Sequence, residues 1–423
     1  MKKPFSIIIS MVLLAAAAAG CGDRPAATPA PSGPPAVTIR TVSMFGGTDP
    51  AAAAYQQLIK DFQAAYPAVT VTDESAAADE MWKARVATDF SSDNDPDVVL
   101  YFTGADAKQL IDNGRVVDVG TIKAAYPDYA RDITGLAMEF MMEPNGKAYA
   151  VPVRGFFEGL YCNKDLFDKY NLPLPTTWSN LLAAVNVFSG KGIVPIAASF
   201  SDVPHYWIEH LVLSAGGYDD HHINPQGKAP ASWEAALGYL RELYEMGAFP
   251  KDVNATTNDI AGSLFKDKKA AMQLDGSWFL NGIPDQENTV IVPFPVVPNG
   301  RKDRTDIIGG FSSGFYISAK AWSDPARREA AVRFVMFMTS KESIMTLCDS
   351  SGTPAANIAL PDTMTSLQKE GLTLAANAGR VDMPIDSRMS KEAWTYLVSM
   401  AGQVAAGKAT PEYVLQRVVS MNR

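Results

Sequence analysis

From Val37 onward, extended and helical patterns alternate along nearly the whole chain, and this restricts the fold more than any other feature. Val37-Thr38-Ile39-Arg40-Thr41-Val42 alternates apolar and polar residues as a strand does. Thr48-Asp49-Pro50 reads as an N-cap with proline at the first helical position. Tyr55, Leu58, Ile59, Phe62 and Tyr66 then share one helical face, which Pro67 ends. Val69–Val71 returns as a strand, and Asp97–Phe102 is a mostly apolar, central one. Further on, Thr176-Thr177 caps a helix, apolar helices follow about 207–214 and 233–246, and Ala270–Leu274 is extended. Strong helices are predicted at 325–339 and 389–405, and Thr410-Pro411 opens the last one. Such alternation predicts a largely parallel α/β sheet covered on both faces. The body exceeds the roughly 250–300 residues at which single cores stop growing, so two lobes are expected.

The first residues carry a different signal. Lys2 and Lys3 precede an apolar run from Phe5 to Ala19 that is shorter than the about 20 residues a membrane span takes. Small residues close it before Cys21, so residues 1–20 read as a signal peptide. Ala18-Ala19-Gly20-Cys21 resembles a bacterial lipobox, with Ala18 where Leu is usual, and the resemblance implies a lipid on Cys21. Residues 21–36 hold prolines at 25, 29, 31, 34 and 35, which keep such a segment extended and solvated. A tether from the membrane's outer face to a folded body is the expectation.

The chain is 47% hydrophobic with a net charge of −9, a poor match for nucleic acid or anionic lipid. Cys162 and Cys348, isolated in apolar surroundings, read as buried thiols, with a disulfide as the alternative. Asp93, Asp95 and Asp97 imitate the start of a calcium loop, but Val98 stands where its glycine belongs, so they read as a turn. Asp219-Asp220-His221-His222 reads as a solvated loop rather than a metal site, and no metal or other cofactor is expected. No HExxH motif or P-loop occurs.

Six ordered segments together resemble the family 1 extracellular solute-binding proteins of ATP-binding cassette (ABC) importers, the group that includes maltose-binding protein. They are PDVVLYFTGADAKQLIDNGRVVDV (96–119), GKAYAVPVRGFFEGLYCNKDLF (146–167), PTTWSNLLAAVN (175–186), AAMQLDGSW (270–278), GGFSSGFYIS (309–318) and MSKEAWTYL (389–397). The resemblance covers about residues 37–420. It implies a type II periplasmic-binding-protein-like fold, with two α/β lobes joined by hinge crossovers around a ligand cleft. Lobe 1 would combine 37–153 with 310–353, and lobe 2 would combine 154–309 with 354–423. The pattern departs at Lys268-Lys269, at Cys162 where Tyr is common, and in the loop SMFGGTDP, which lacks the Trp of many sugar binders.

A sugar offers apolar C–H faces and a rim of hydroxyls, so its site needs flat aromatics and planar polar groups. At the segments the resemblance assigns to the cleft stand Trp278, Trp394, Trp207 and Phe45, with Thr48 and Asp49 as hydroxyl binders or helix caps. Tyr101, Gly104 and Asp106 sit where a central strand gives way to a helix, the usual ligand position in open α/β sheets. Arg154 and Glu158 flank Gly155 in the crossover, and Gly310-Phe311 precede the return strand. Asp275 is a hydrogen-bond acceptor for ligand or the turn residue before Gly276.

The expected function is capture of a carbohydrate, an oligosaccharide above all, by a monomeric lipoprotein without enzymatic activity. It would hand its ligand to permease subunits powered by a separate ATPase. The alternatives are an exported carbohydrate-active hydrolase, a binding protein for another polar solute such as a glycerol phosphodiester, and a structural lipoprotein.

Overall fold

The computed structural model describes residues 36–47, 49–348, 352–359 and 362–422. The expected signal segment, Cys21, the tether up to Pro35, and Thr48 lie outside the described residues.

Among the described residues ten strands form two sheets. They are β1 (Val37–Ser43), β2 (Val69–Asp73), β3 (Val98–Phe102), β4 (Phe156–Asn163), β5 (Val194–Ala197), β6 (Ala270–Gly276), β7 (Thr289–Val292), β8 (Ile307–Gly310), β9 (Ser313–Ile317) and β10 (Val381–Asp382). The first sheet has the order β2-β1-β3-β9. β1 pairs parallel with β2 and β3, and β9 returns antiparallel on β3. The second has the order β10-β8-β4-β6-β5, with β7 also on β4. Its long strand β4 runs antiparallel to β6, β7 and β8, so the parallel expectation holds for three strands of the first sheet but not for the centre of the second.

Each sheet has its own apolar core. One gathers residues from Ile39 to Val153 and again from Phe311 to Ala356. The other draws on Leu160–Val297 and Ile385–Val418, with a smaller cluster around Phe157, Tyr161 and Phe279 beside it. The chain thus passes between the cores at three places, and the crossing strands lie side by side. Gly155 and Thr353 exchange backbone hydrogen bonds of 2.7 and 3.1 Å, and Phe156 pairs with Gly310. Gly155 is required by this closeness, since a Cβ there would sit 2.4 Å from Thr353 Oγ1 and 2.6 Å from the Gly310 carbonyl.

Tyr55, Leu58, Ile59 and Phe62 are buried on the helix Ala52–Ala65 as their spacing predicts. Its start differs from expectation: Ala51 is the cap, without a side-chain bond. Asp49 Oδ1 instead accepts from the Ala51 amide at 2.7 Å, a turn before the helix. Thr177, Ser390 and Thr410 cap the helices Trp178–Gly190, Lys391–Ala405 and Pro411–Met421. Asp93 lies in a left-handed turn and, with Asp95, is paired to Arg115. Cys162 and Cys348 are free and buried.

His221 and His222 are not in a solvated loop. They end the helix His205–His221, and His221 is fully buried with Nδ1 2.6 Å from Asp382 on β10. His222 Nδ1 reaches the other Asp382 oxygen at 2.8 Å, and Arg388 pairs with the same carboxylate. Burial depresses the His221 pKa, so a neutral imidazole donates to an ionised Asp382, whose pKa is lowered by the same bonds against its own burial.

Candidate ligand cleft

Five rings form a continuous row. Trp278 follows β6, with Phe156 at 5.7 Å on one side and Tyr206 at 6.4 Å on the other, both tilted by 36° or less. Tyr206 adjoins His205 at 4.5 Å, and His205 adjoins Trp394 at 6.1 Å. Trp278 is 38% exposed, more than any other ring of the row. The row draws on β4, the turn after β6, and the starts of the helices His205–His221 and Lys391–Ala405.

Carboxyl groups lie beneath the rings. Glu158 Oε2 is 3.0 Å from His210 Nε2, with both side chains 2% exposed. Burial raises Glu158 to about 8 and lowers His210 to about 3, so near neutral pH a protonated carboxyl faces a neutral imidazole. Asp275 is raised to about 7 by burial, against the lowering effect of its hydrogen bonds from Gly276, Gln273 and Trp278. Glu209 is fully buried and held far above the usual carboxylate range by burial, with Glu158 and Asp386 adding repulsion. Neutral carboxyls both donate and accept, which suits hydroxyl groups.

The other wall comes from the end of β3 and the helix Glu80–Ser91. Lys83 Nζ is 2.8 Å from Asp106 and 4.4 Å from the centre of the Phe102 ring. Asp386 connects the walls electrostatically: burial raises it to about 6, Lys83 opposes that rise, and Asp106 and Glu158 add to it. Gly104 lies at φ +64°, and a Cβ there would come 2.7 Å from the Ser387 carbonyl. The two walls therefore touch at this edge. His205 is lowered to about 4, chiefly by burial and further by Lys83.

Of the described residues singled out from sequence, Gly104, Asp106, Glu158, Asp275, Trp278 and Trp394 converge on this cleft, while the other described ones take different positions. Trp207 is buried against Phe249 and Phe294 at 4.9 and 5.9 Å, a core packing role. Tyr101 is buried against Trp82 at 5.5 Å. Phe45 is buried on Tyr55, and the Arg154 guanidinium lies 4.6 Å over its ring. Arg154 also pairs with Asp49 at 2.9 Å, so these three brace a crossover. Phe311 packs on Phe140 at 5.8 Å, and the space beside Gly310 is taken by Phe140 and Met383 rather than left for a ligand. Residues 310–314 do spell Gly-x-Ser-x-Gly, yet they run strand to strand from β8 into β9, whereas a nucleophile elbow turns from strand into helix.

Phe156, His205, Tyr206, His210, Glu209, Lys83 and Asp386 were missed as site residues. One usable signal was present. His205 and Glu209, and Tyr206 and His210, stand four apart in a helix otherwise rich in apolar residues, marking a second, polar face. A separate surface hollow of about 560 Å³ is lined by Asp220, Tyr239 and Arg301 among others. It shares no residue with the ring row, and its charged pair, Arg301 and Asp220, is self-satisfied.

A family model described as "Bacterial extracellular solute-binding protein" matches residues 46–345. The chain is 24% identical over 328 residues to the "Multiple sugar-binding protein" of Streptococcus mutans, covering 75% of each. Among solved structures, one from work on xylan utilization by Caldanaerobius polysaccharolyticus superposes with a TM-score of 0.79 at 23% identity, covering 91% of this chain and 99% of that one. A chitin oligosaccharide binding protein follows at 0.77 and 22%, covering 91% and 97%.

Proposed function

Since the chain belongs to the bacterial extracellular solute-binding proteins, we propose that it captures an oligosaccharide in the cleft between its lobes and delivers it to an ABC permease. The observation that carries this is the row Phe156–Trp278–Tyr206–His205–Trp394 above buried, protonated carboxyls. Flat rings cover the C–H faces of successive sugar units, and the carboxyls other than Asp275, with the Lys83–Asp106 pair, meet the hydroxyls. Relatives and structural neighbours named for sugars support the ligand class. Micromolar capture corresponds to about −8 kcal/mol, within reach of a few stacked rings and matched hydrogen bonds.

Lobe 1 (37–153 with 310–353) and lobe 2 (154–309 with 354–423) close on a ligand that touches both, because only differential affinity shifts the balance between open and closed forms. The family and its relatives are binding proteins rather than enzymes. Binding without turnover is supported by Asp275, whose oxygens are committed to Gln273, Gly276 and Trp278 rather than poised opposite Glu158 as in a glycosidase pair. The remaining parts of the reading are cleavage before Cys21, lipid attachment there, a monomeric body and a separate ATPase. Metabolic labelling with a fatty acid, lost in Cys21→Ala, tests the anchor.

The ligand itself is tested by thermal shift with glucose, galactose, raffinose, xylotriose and chitotriose. A sugar at 100 times its Kd adds about 2.7 kcal/mol of stability. Trp278→Ala is expected to abolish that shift while leaving the ligand-free Tm nearly unchanged, since the indole is partly exposed. No stabilisation by any sugar of the panel counts against carbohydrate capture.

A further inference from the structure

Asp275 was expected either to contact ligand or to form a turn, and its surroundings assign it another task. Oδ1 accepts from the Gly276 amide and from Trp278 Nε1, each at 2.8 Å, and Oδ2 accepts from Gln273 Nε2 at 2.8 Å. The side chain is 1% exposed. Three donors thus converge on one carboxyl, and one of them is the indole that presents the most exposed face of the ring row.

The backbone is prepared for the same end. Tyr161 Oη donates to the Gly276 carbonyl at 2.9 Å, which holds the peptide between Gly276 and Ser277. A Cβ on Gly276 would lie 2.2 Å from the indole, so glycine is needed for the ring to fold back over the turn. Phe156 and Tyr206 then limit the ring from both sides. A partly exposed Trp on a turn has few packing contacts to choose its rotamer, and a fixed acceptor for Nε1 chooses it.

We propose that Asp275 is a positioning residue: with Gln273 behind it and Gly276 beneath the ring, it holds the Trp278 indole as a preset stacking platform and does not itself bind ligand. The inference builds on the proposed carbohydrate cleft, but the platform exists without sugar and is tested without it.

The chain is labelled with 5-fluorotryptophan, and among the 7 tryptophans the Trp278 signal is assigned by its loss in Trp278→Phe. Asp275→Asn preserves the arrangement: Asn Oδ1 accepts from Gly276 and Trp278, and its amide donates to Gln273 Oε1, which has no partner in the native protein. The ligand-free Trp278 resonance is therefore expected to stay in place in Asp275→Asn and to shift or broaden in Asp275→Ala. With whichever sugar of the thermal-shift panel binds, Asp275→Ala weakens affinity by about 10- to 100-fold, the size of one charge-assisted hydrogen bond, and Asp275→Asn by less than about threefold. If Asp275→Ala does not fold, Gln273→Met replaces it, with the same signal expected to broaden.

An unmoved Trp278 resonance in Asp275→Ala overturns the proposal. So does an Asp275→Asn protein whose Trp278 signal is native but whose affinity collapses, because that marks Asp275 as a direct ligand group. If no sugar binds even the wild type while the resonances behave as described, the platform stands and the carbohydrate reading fails.

Discussion

Glu158 illustrates how one side chain takes its chemistry from burial. In the sequence it is an acid beside a glycine. In the fold it shares a water-poor interior with His210, and both resist charging. The consequence for stability has a definite sign. An unfolded Glu titrates near 4.3 and an unfolded His near 6.5. Unfolded His210 still binds part of a proton at about pH 6.5 and opposes the trend until about pH 7.5, while folded Glu158 keeps its proton up to about 8. The native state then holds more protons than the unfolded one, so stability falls as pH rises from about 6.5 to 8, and Asp275, at about 7, adds to the fall. Glu158→Gln retains a donor to His210 and is expected to flatten part of this slope in urea unfolding measured across that range. A slope identical to wild type would show that Glu158 is ionised in the fold. Arg154 and Trp207 teach the complementary point: their types suit sugar binding, but Arg154 is engaged with Asp49 and Phe45, and Trp207 with core phenylalanines.

The helix His205–His221 serves two surfaces at once. Its Trp207, Leu211 and Val212 enter the lobe core, while His205 and the largely buried Tyr206 join the ring row. Its far end is anchored by Asp382, which receives His221, His222, Arg388 and the Met383 amide. Asp382→Ala leaves a buried imidazole and a guanidinium without their acceptor, and is expected to cost about 3–5 kcal/mol in chemical denaturation. The crossover strands form a second sensitive element. Gly155→Ala drives a methyl into Thr353 and the Gly310 carbonyl, with an expected loss of about 1–3 kcal/mol by the same assay. Capping was legible at Thr177 and Thr410 and helix existence at 389–405, because caps and periodicity are local. The antiparallel run of β4 through its sheet was not, because its partners lie far off in the chain, from Met272 opposite Cys162 to Gly310 opposite Phe156.

The proposed closure of the lobes has its structural reporter at Gly104, where the loop after β3 meets the Ser387 carbonyl. Gly104→Val adds a side chain at a left-handed backbone position and wedges the walls apart. We expect a larger radius of gyration by small-angle scattering in saturating sugar than wild type shows, together with weaker affinity. An unchanged compaction would mean that this contact does not report closure. Among the described residues no helix is long and apolar enough to cross a membrane.

Residue order alone was enough for the α/β alternation, the main caps, the buried helix faces and the aromatic and acidic raw material of the cleft, since each depends on neighbours a few positions away. Which aromatics face ligand, which acids stay protonated, and why Asp275 serves an indole rather than a sugar came from three-dimensional packing. Those properties arise from desolvation and from hydrogen bonds between segments far apart in the chain, such as Glu158 with His210 and Asp382 with His221, and no local pattern carries them.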